Sequence, residues 1–125
     1  MSKTYRGAVI GYGNLGIRHS EVLHGLDVTE LVAVCDSTPE ARAKAAQQHP
    51  SLALYDDAAK MLTTERPDIV AVGTHASSHA ILSLLAAEHG AHVVCEKPIA
   101  ASLEEADSMV TAFDEAGLQL VIDHQ

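Results

Sequence analysis

Short runs of Val, Ile, Ala and Leu alternate with longer stretches of helical spacing along the whole chain. Six runs predict strands: 5–10 (YRGAVI), 30–35 (ELVAVC), 52–55 (LALY), 68–72 (DIVAV), 92–95 (HVVC) and 118–122 (LQLVI). Between them the pattern predicts helices over 14–25, 38–48, 57–64, 77–89 and 102–116. The last is the best punctuated. Ser102 stands at its N-cap, Glu105 three residues on completes a capping box, and Gly117 stops it. Its apolar positions Leu103, Ala106, Met109, Val110 and Phe113 recur at threes and fours, so this face is expected to pack on a sheet.

Strand, helix, strand, repeated along one chain, implies right-handed βαβ crossovers. The expected architecture is an α/β doubly wound parallel sheet of about six strands in the order 3-2-1-4-5-6. The third strand is short and its helix weakly patterned, so that half is the least defined. No linker or repeat interrupts the alternation, and residues 1–125 form one domain. In such folds ligands sit beyond the carboxyl ends of the strands.

Composition narrows the class further. Hydrophobic residues make up 47% of the chain but aromatics only 3%, so the core must be aliphatic, as in a parallel sheet covered by helices. The net charge of −9, from 8 basic and 17 acidic residues, repels phosphate backbones and anionic lipid, which argues against nucleic-acid and membrane partners. No apolar stretch approaches the roughly 18 residues of a membrane span, and the first residues lack a secretory pattern. Cys35 and Cys95 each close an apolar run and suit small buried hydrophobes of a reducing, cytoplasmic compartment. No set of four ligands at zinc spacing is present, and no metal is expected.

The chemistry lies at the strand ends. The first strand runs into GYGNLG, with Gly11, Gly13 and Gly16 in a pattern that directly follows a strand and opens a helix. Gly11 permits a tight turn, Gly13 lets the backbone approach a pyrophosphate, and Gly16 allows close helix–strand packing. The helix start, with Asn14 and Leu15, offers free N–H groups and a positive dipole end to phosphates. Asp36, followed by Ser37, closes the second strand about 20 residues after Gly16, where a carboxylate accepts both hydroxyls of an adenosine ribose. A methyltransferase also places a glycine loop and an acid at these strand ends, but its loop usually reads GxGxG. The third glycine favours a dinucleotide.

The fourth strand ends in GTHASSHA. His75 and His79 are four apart, yet no acid or third ligand stands beside them in sequence, which weakens a zinc reading. Gly73 and Thr74 are expected to form a loop under the cofactor, Ser77 or Ser78 to cap the helix, and His79 either to face the site or to pack in the helix's first turn. The fifth strand delivers Glu96, Lys97 and Pro98 to the same edge, where the nicotinamide end of a dinucleotide belongs. A lysine ammonium there can hydrogen-bond a substrate alcohol or carbonyl as hydride moves. Glu96 is placed either to pair with Lys97 or to touch the nicotinamide ribose.

GYGNLGIRH, VAVCD, GTHASSHA, HVVCEKPIAASLEEA and GLQLVIDHQ together resemble, in order over the whole chain, the amino-terminal half of the glucose-fructose oxidoreductase / inositol dehydrogenase / rhizopine catabolism (Gfo/Idh/MocA) family. The EKP triplet is the most specific element. The resemblance implies a Rossmann domain of a nicotinamide-dependent dehydrogenase or reductase of sugars, cyclitols or related polyols. It implies Gly11, Gly13, Gly16, Asp36, Thr74, His79 and Glu96 as cofactor residues and Lys97 as the catalytic lysine. It also implies a cis Lys97–Pro98 bond. His75 departs from the family pattern, where proline is common, and puts that loop's backbone geometry in question. NAD is expected over NADP, because Asp36 would repel a 2′-phosphate and no arginine follows it directly, although Arg42 lies nearby. Family members continue into a second α/β domain that supplies most substrate contacts and an oligomerisation sheet. That domain is absent from this sequence, so its uncovered face favours homo-oligomer formation through the last strand or helix. The alternative is a stand-alone NAD(H)-binding module without catalysis, which would have no need of Lys97.

Overall fold

The computed structural model describes residues 4–123. Six parallel strands form one sheet in the order β3-β2-β1-β4-β5-β6, as the alternation predicts. They are β1 (Tyr5–Ile10), β2 (Thr29–Cys35), β3 (Ala53–Tyr55), β4 (Ile69–Val72), β5 (His92–Glu96) and β6 (Leu120–Asp123). The connecting helices are α1 (Asn14–Gly25), α2 (Pro39–Gln48), α3 (Ala58–Glu65), α4 (Ala76–Glu88) and α5 (Leu103–Ala116).

Strand alternation sends each strand's residues to two separate cores. Ala8, Ile10, Val70, Val72, Val93 and Cys95 meet α3, α4 and α5 through Met61, Leu62, Ala86 and Phe113. Val9, Val34 and Ala71 meet α1 and α2 through Leu23 and Ala45. With one Phe and no Trp in the chain, both layers are thin and aliphatic, which lets the helices lie close to the sheet.

Capping chemistry sets most helix ends. Thr38 caps α2 by accepting from the Ala41 N–H, and Pro39 follows at the first helical position. Asp57 caps α3 through the Lys60 N–H. Ser102 accepts from the Glu105 N–H at 3.2 Å, while the Glu105 carboxylate accepts from the Ala101 N–H, a capping box displaced by one residue. Gly117 ends α5 in the left-handed region at φ 70°. The expected apolar face of α5 is narrower than its spacing suggests. Met109 and Phe113 are buried, but Leu103 is 79% and Val110 54% exposed. The sheet edge at β6 covers only one side of that helix.

The glycine loop sets how α1 sits. Gly11 has φ +93°, and a Cβ there would meet Thr74 Cγ2 at 2.8 Å and the Gly73 backbone at 3.0 Å. A Cβ on Gly16 would lie 1.7 Å from the Gly11 carbonyl oxygen. The helix therefore rests directly on the turn that starts it. Gly13 differs: a Cβ there would meet nothing within 4 Å.

Gly16→Ala should cost about 3 kcal/mol or abolish folding, since backbone rather than a movable side chain fills the space. Gly13→Ala should change stability by no more than about 0.5 kcal/mol. Urea unfolding of the two variants measures both, and equal stability would refute this packing. Acid should also weaken the fold in two stages. Burial, and then the neighbouring His24, hold the His49 ring below its ordinary 6.5. The folded chain thus takes up fewer protons there than the unfolded chain, and stability should fall as pH drops below that value. Asp36 is held below its ordinary 3.8, so its contribution persists above that value and is lost only at lower pH. Melting temperatures between pH 7.5 and 5 should decline less in His24→Gln, and an unchanged slope would remove the histidine pair from the explanation.

Candidate functional site

Four loops meet at the carboxyl edge of the sheet. Backbone bonds register three of them: the Gly11 N–H donates to the Cys35 carbonyl and the Gly73 N–H to the Ile10 carbonyl, both at 2.8 Å. The β1–α1 turn, the end of β2 and the end of β4 thereby enclose a crevice of about 650 Å³. Gly11, Gly13, Asn14, Leu15, Asp36, Ser37, Gly73, Thr74 and His75, all candidate residues from the sequence, line it. A smaller recess of about 230 Å³ adjoins it over Ile10, Cys35, Asp56 and Leu82, and shares Gly11, Asp36, Ser37 and Thr74.

The α1 N-terminus opens into this crevice. Its N-cap is Gly13, with no side-chain cap and no acid in the first turn. Such a terminus presents N–H groups and the positive end of the helix dipole, the features that hold an anion. Because the position of Gly13 is open, nothing within the chain demands a glycine there. A group approaching from the crevice would.

Asp36 stands across from that helix end. Partial burial works against its charge, but hydrogen bonds from the Thr38 N–H, the Tyr12 N–H and the Thr38 hydroxyl outweigh it, with Arg42 adding a favourable charge. The Tyr12 N–H donates to Oδ2 at 2.7 Å and the Thr38 N–H to Oδ1 at 2.9 Å. The carboxylate is thus ionised and fixed by two loops, with acceptor capacity left over for a diol. Arg42 donates to the Asp36 carbonyl at 2.8 Å, which places its guanidinium behind the strand end.

The β4–α4 loop corrects one expectation and answers a question. Neither Ser77 nor Ser78 caps α4; His75 is the N-cap and makes no side-chain cap bond. The Ser78 hydroxyl instead donates to the His75 carbonyl at 2.9 Å and shares a hydrogen bond with the Thr74 hydroxyl at 2.8 Å, bracing the loop from inside the first turn. His75 has φ −70° and ψ 153°, a conformation that proline also adopts, so this departure from the family pattern leaves the backbone where a proline would hold it.

His79 takes the second of its two expected places, in the first turn of α4, whereas Glu96 sits elsewhere than expected. His79 is 1% exposed, lying beneath the loop rather than in the crevice wall. Its Nδ1 faces the Pro98 carbonyl and its Nε2 the Thr74 carbonyl, each at 2.9 Å. Glu96 is 3% exposed and is the last residue of β5, paired in register with Asp123. Strand alternation turns its side chain onto the α1 face, where Oε1 accepts from His19 Nε2 at 2.8 Å. It therefore neither pairs with Lys97 nor offers accessible surface to a ribose.

His19 carried no expected role in the sequence. The signal was the spacing Gly16, Ser20, Leu23 on one α1 face, which places His19 on the buried side. Among the described residues, His19, Glu96 and Asp123 form the one group of three possible metal ligands, with ligand atoms within 4.8 Å of one another. The 2.8 Å separation of His19 and Glu96 is that of a hydrogen bond, which already satisfies both atoms.

Lys97 and Pro98 are exposed at this edge but do not line the 650 Å³ crevice. The peptide bond between them is cis. Both cysteines are free and buried; burial, followed by neighbouring carboxylates, pushes the Cys35 thiol up to about 11, and burial does the same at Cys95, which disfavours the thiolate. No helix among the described residues is long and apolar enough to cross a membrane.

Known proteins share this arrangement. The model of an oxidoreductase family with an NAD-binding Rossmann fold matches residues 5–124. D-apiose dehydrogenase of Paraburkholderia graminis is 39% identical over 96% of this chain and 32% of its own length. A scyllo-inositol 2-dehydrogenase (NADP(+)) of Bacillus subtilis is 28% identical over 93% of this chain and 35% of its own. The WlbA dehydrogenase of Bordetella pertussis, solved with NADH and UDP-GlcNAcA, superposes with a TM-score of 0.89 at 32% identity, covering 97% of this chain and 37% of that one. The chain spans about a third of the length of the curated relatives it matches. With its sheet order, its glycine turn and its EKP triplet in place, the chain belongs to the Gfo/Idh/MocA oxidoreductase family, as its NAD-binding Rossmann domain.

Proposed function

We propose that this domain is the cofactor half of an NAD-dependent oxidoreductase acting on the alcohol or carbonyl of a sugar, cyclitol or related polyol. The observation that carries this is the convergence of an uncapped helix N-terminus and a fixed, ionised Asp36 on one crevice of about 650 Å³. Gly13, Asn14 and Leu15 present N–H groups to a pyrophosphate, and Asp36 receives the adenosine ribose. When bound, the dinucleotide supplies the hydride acceptor or donor at its nicotinamide. Lys97, exposed at the edge beyond Thr74, hydrogen-bonds the substrate oxygen and moves the proton there.

Orientation of a substrate carbon needs a pocket that also excludes water. We assign that to a second domain, which also supplies the oligomer contacts. The half-exposed Val121 on the edge strand β6 favours self-association of this domain alone. Two free, buried cysteines favour a cytoplasmic setting. One observation favours a binding module without catalysis instead: Lys97 is absent from the crevice lining.

NADH should bind this chain more tightly than NADPH by about tenfold, roughly 1.4 kcal/mol, because an ionised Asp36 repels a 2′-phosphate. Fluorescence titration with both cofactors measures this, and equal or reversed affinities would sink the NAD assignment. The same sample should show no turnover with a panel of polyols, and measurable dehydrogenation would overturn the need for a second domain. In a protein that carries the substrate domain, Lys97→Met should lower kcat by roughly 10²–10⁴-fold and leave cofactor affinity nearly unchanged. Near-normal turnover would take Lys97 out of the mechanism and leave the binding-module reading standing.

A further inference from the structure

Lys97 is exposed, yet both its chain neighbours are held by buried histidines. Before it, the Glu96 carboxylate is tied to His19 Nε2 at 2.8 Å, and His19 belongs to α1, the helix that opens on the crevice. After it, the Pro98 carbonyl is tied to His79 Nδ1 at 2.9 Å, and His79 belongs to α4 on the opposite face of the sheet. The other ring nitrogen lies 2.9 Å from the Thr74 carbonyl, so the ring stands between the lysine turn and the crevice wall, and its N–H serves one carbonyl or the other. Each histidine is nearly or fully buried, at 9% and 1% exposed.

We propose that His19 and His79 are positioning residues that hold the Glu96 carboxylate and the Pro98 carbonyl on either side of Lys97, and so fix the backbone from which its ammonium reaches toward the crevice. This rests on the reading of the crevice as a nicotinamide cofactor site. The physical case is strongest at His19. Glu96 lies buried in register with Asp123, so two carboxylates share that corner. The imidazole N–H supplies the hydrogen bond that lets Glu96 stay inside, because a buried carboxylate without a partner is costly. Without it, Glu96 has reason to swing outward to solvent, and residue 97 must move with it. At His79 the loss would remove the ring that fills the space between the Pro98 and Thr74 carbonyls.

The chain's small lysine set makes this measurable. Its lysines are Lys3, Lys44, Lys60 and Lys97. Reductive methylation with carbon-13 formaldehyde gives each a separate NMR signal, and loss of one peak in Lys97→Arg assigns that residue. In the wild-type chain at saturating NADH, the Lys97 signal should shift on cofactor binding. In His19→Ala and in His79→Leu it should broaden or move in the free protein and lose its response to NADH, while the Lys44 and Lys60 signals stay in place. His19→Gln, whose amide N–H can still reach Glu96, should restore the wild-type Lys97 signal. Where His19→Ala does not fold, His19→Asn, with an amide too short for the bond, carries the same comparison. An unaltered Lys97 signal and response in folded variants of both histidines would overturn the inference and leave the cofactor reading intact. Failure of the wild-type chain to bind NADH would overturn the cofactor reading itself.

Discussion

The architecture depends on a helix that touches a strand turn with no side chain between them. Gly16 lies so close to the Gly11 carbonyl that no Cβ fits, and the Gly73 position packs against Gly16 from the next strand, with 3.0 Å between its Cβ site and the Gly16 nitrogen. That three-way approach fixes the distance of α1 from β1 and β4. It also aims the helix N-terminus across the strand ends rather than along them. Every later feature of the crevice follows from this direction, because the anion-binding end of a helix acts only within about its first turn.

Asp36 shows how one carboxylate serves both fold and site. Its hydrogen bonds from Tyr12 and Thr38 lock the β1–α1 turn to the start of α2. The same bonds keep it ionised despite partial burial. A neutral residue there would lose the crosslink as well as the negative charge facing the crevice. The acid is therefore held in one orientation before any ligand arrives, which lowers the ordering cost of binding.

Much of this was legible in the sequence because the relevant constraints are local. Strand–helix alternation, the glycine spacing, Ser102 and Gly117 all act within a few residues of themselves. What escaped the sequence were side-chain directions that depend on where an element ends. Ending β5 at Cys95 makes Glu96 a loop acid free to meet Lys97. One more residue of strand makes it an inward-facing partner of α1, since successive strand residues point to opposite faces. The same holds for His79, whose place in the first turn of α4 was foreseen, whereas its two carbonyl partners come from separate loops. The wide apolar face expected of α5 failed for a related reason: periodicity reports a face, but the area that a sheet edge covers is set by tertiary structure.

These long-range ties divide the edge of the sheet into two mechanical regimes. Around Gly11, Asp36 and Thr74 the crevice is built from backbone bonds and close contacts that the fold cannot relax without losing α1. Around Lys97 the turn is fastened by two side-chain bonds, each from a histidine on a different layer. A cofactor platform benefits from the first kind of rigidity, since its ligand is large and makes many contacts. The proposed role of Lys97 in proton transfer calls for a fixed backbone and an accessible ammonium, and an exposed side chain between two buried anchors meets both demands. The two halves of the proposed site thus differ in how they are built, in keeping with the different groups each is proposed to hold.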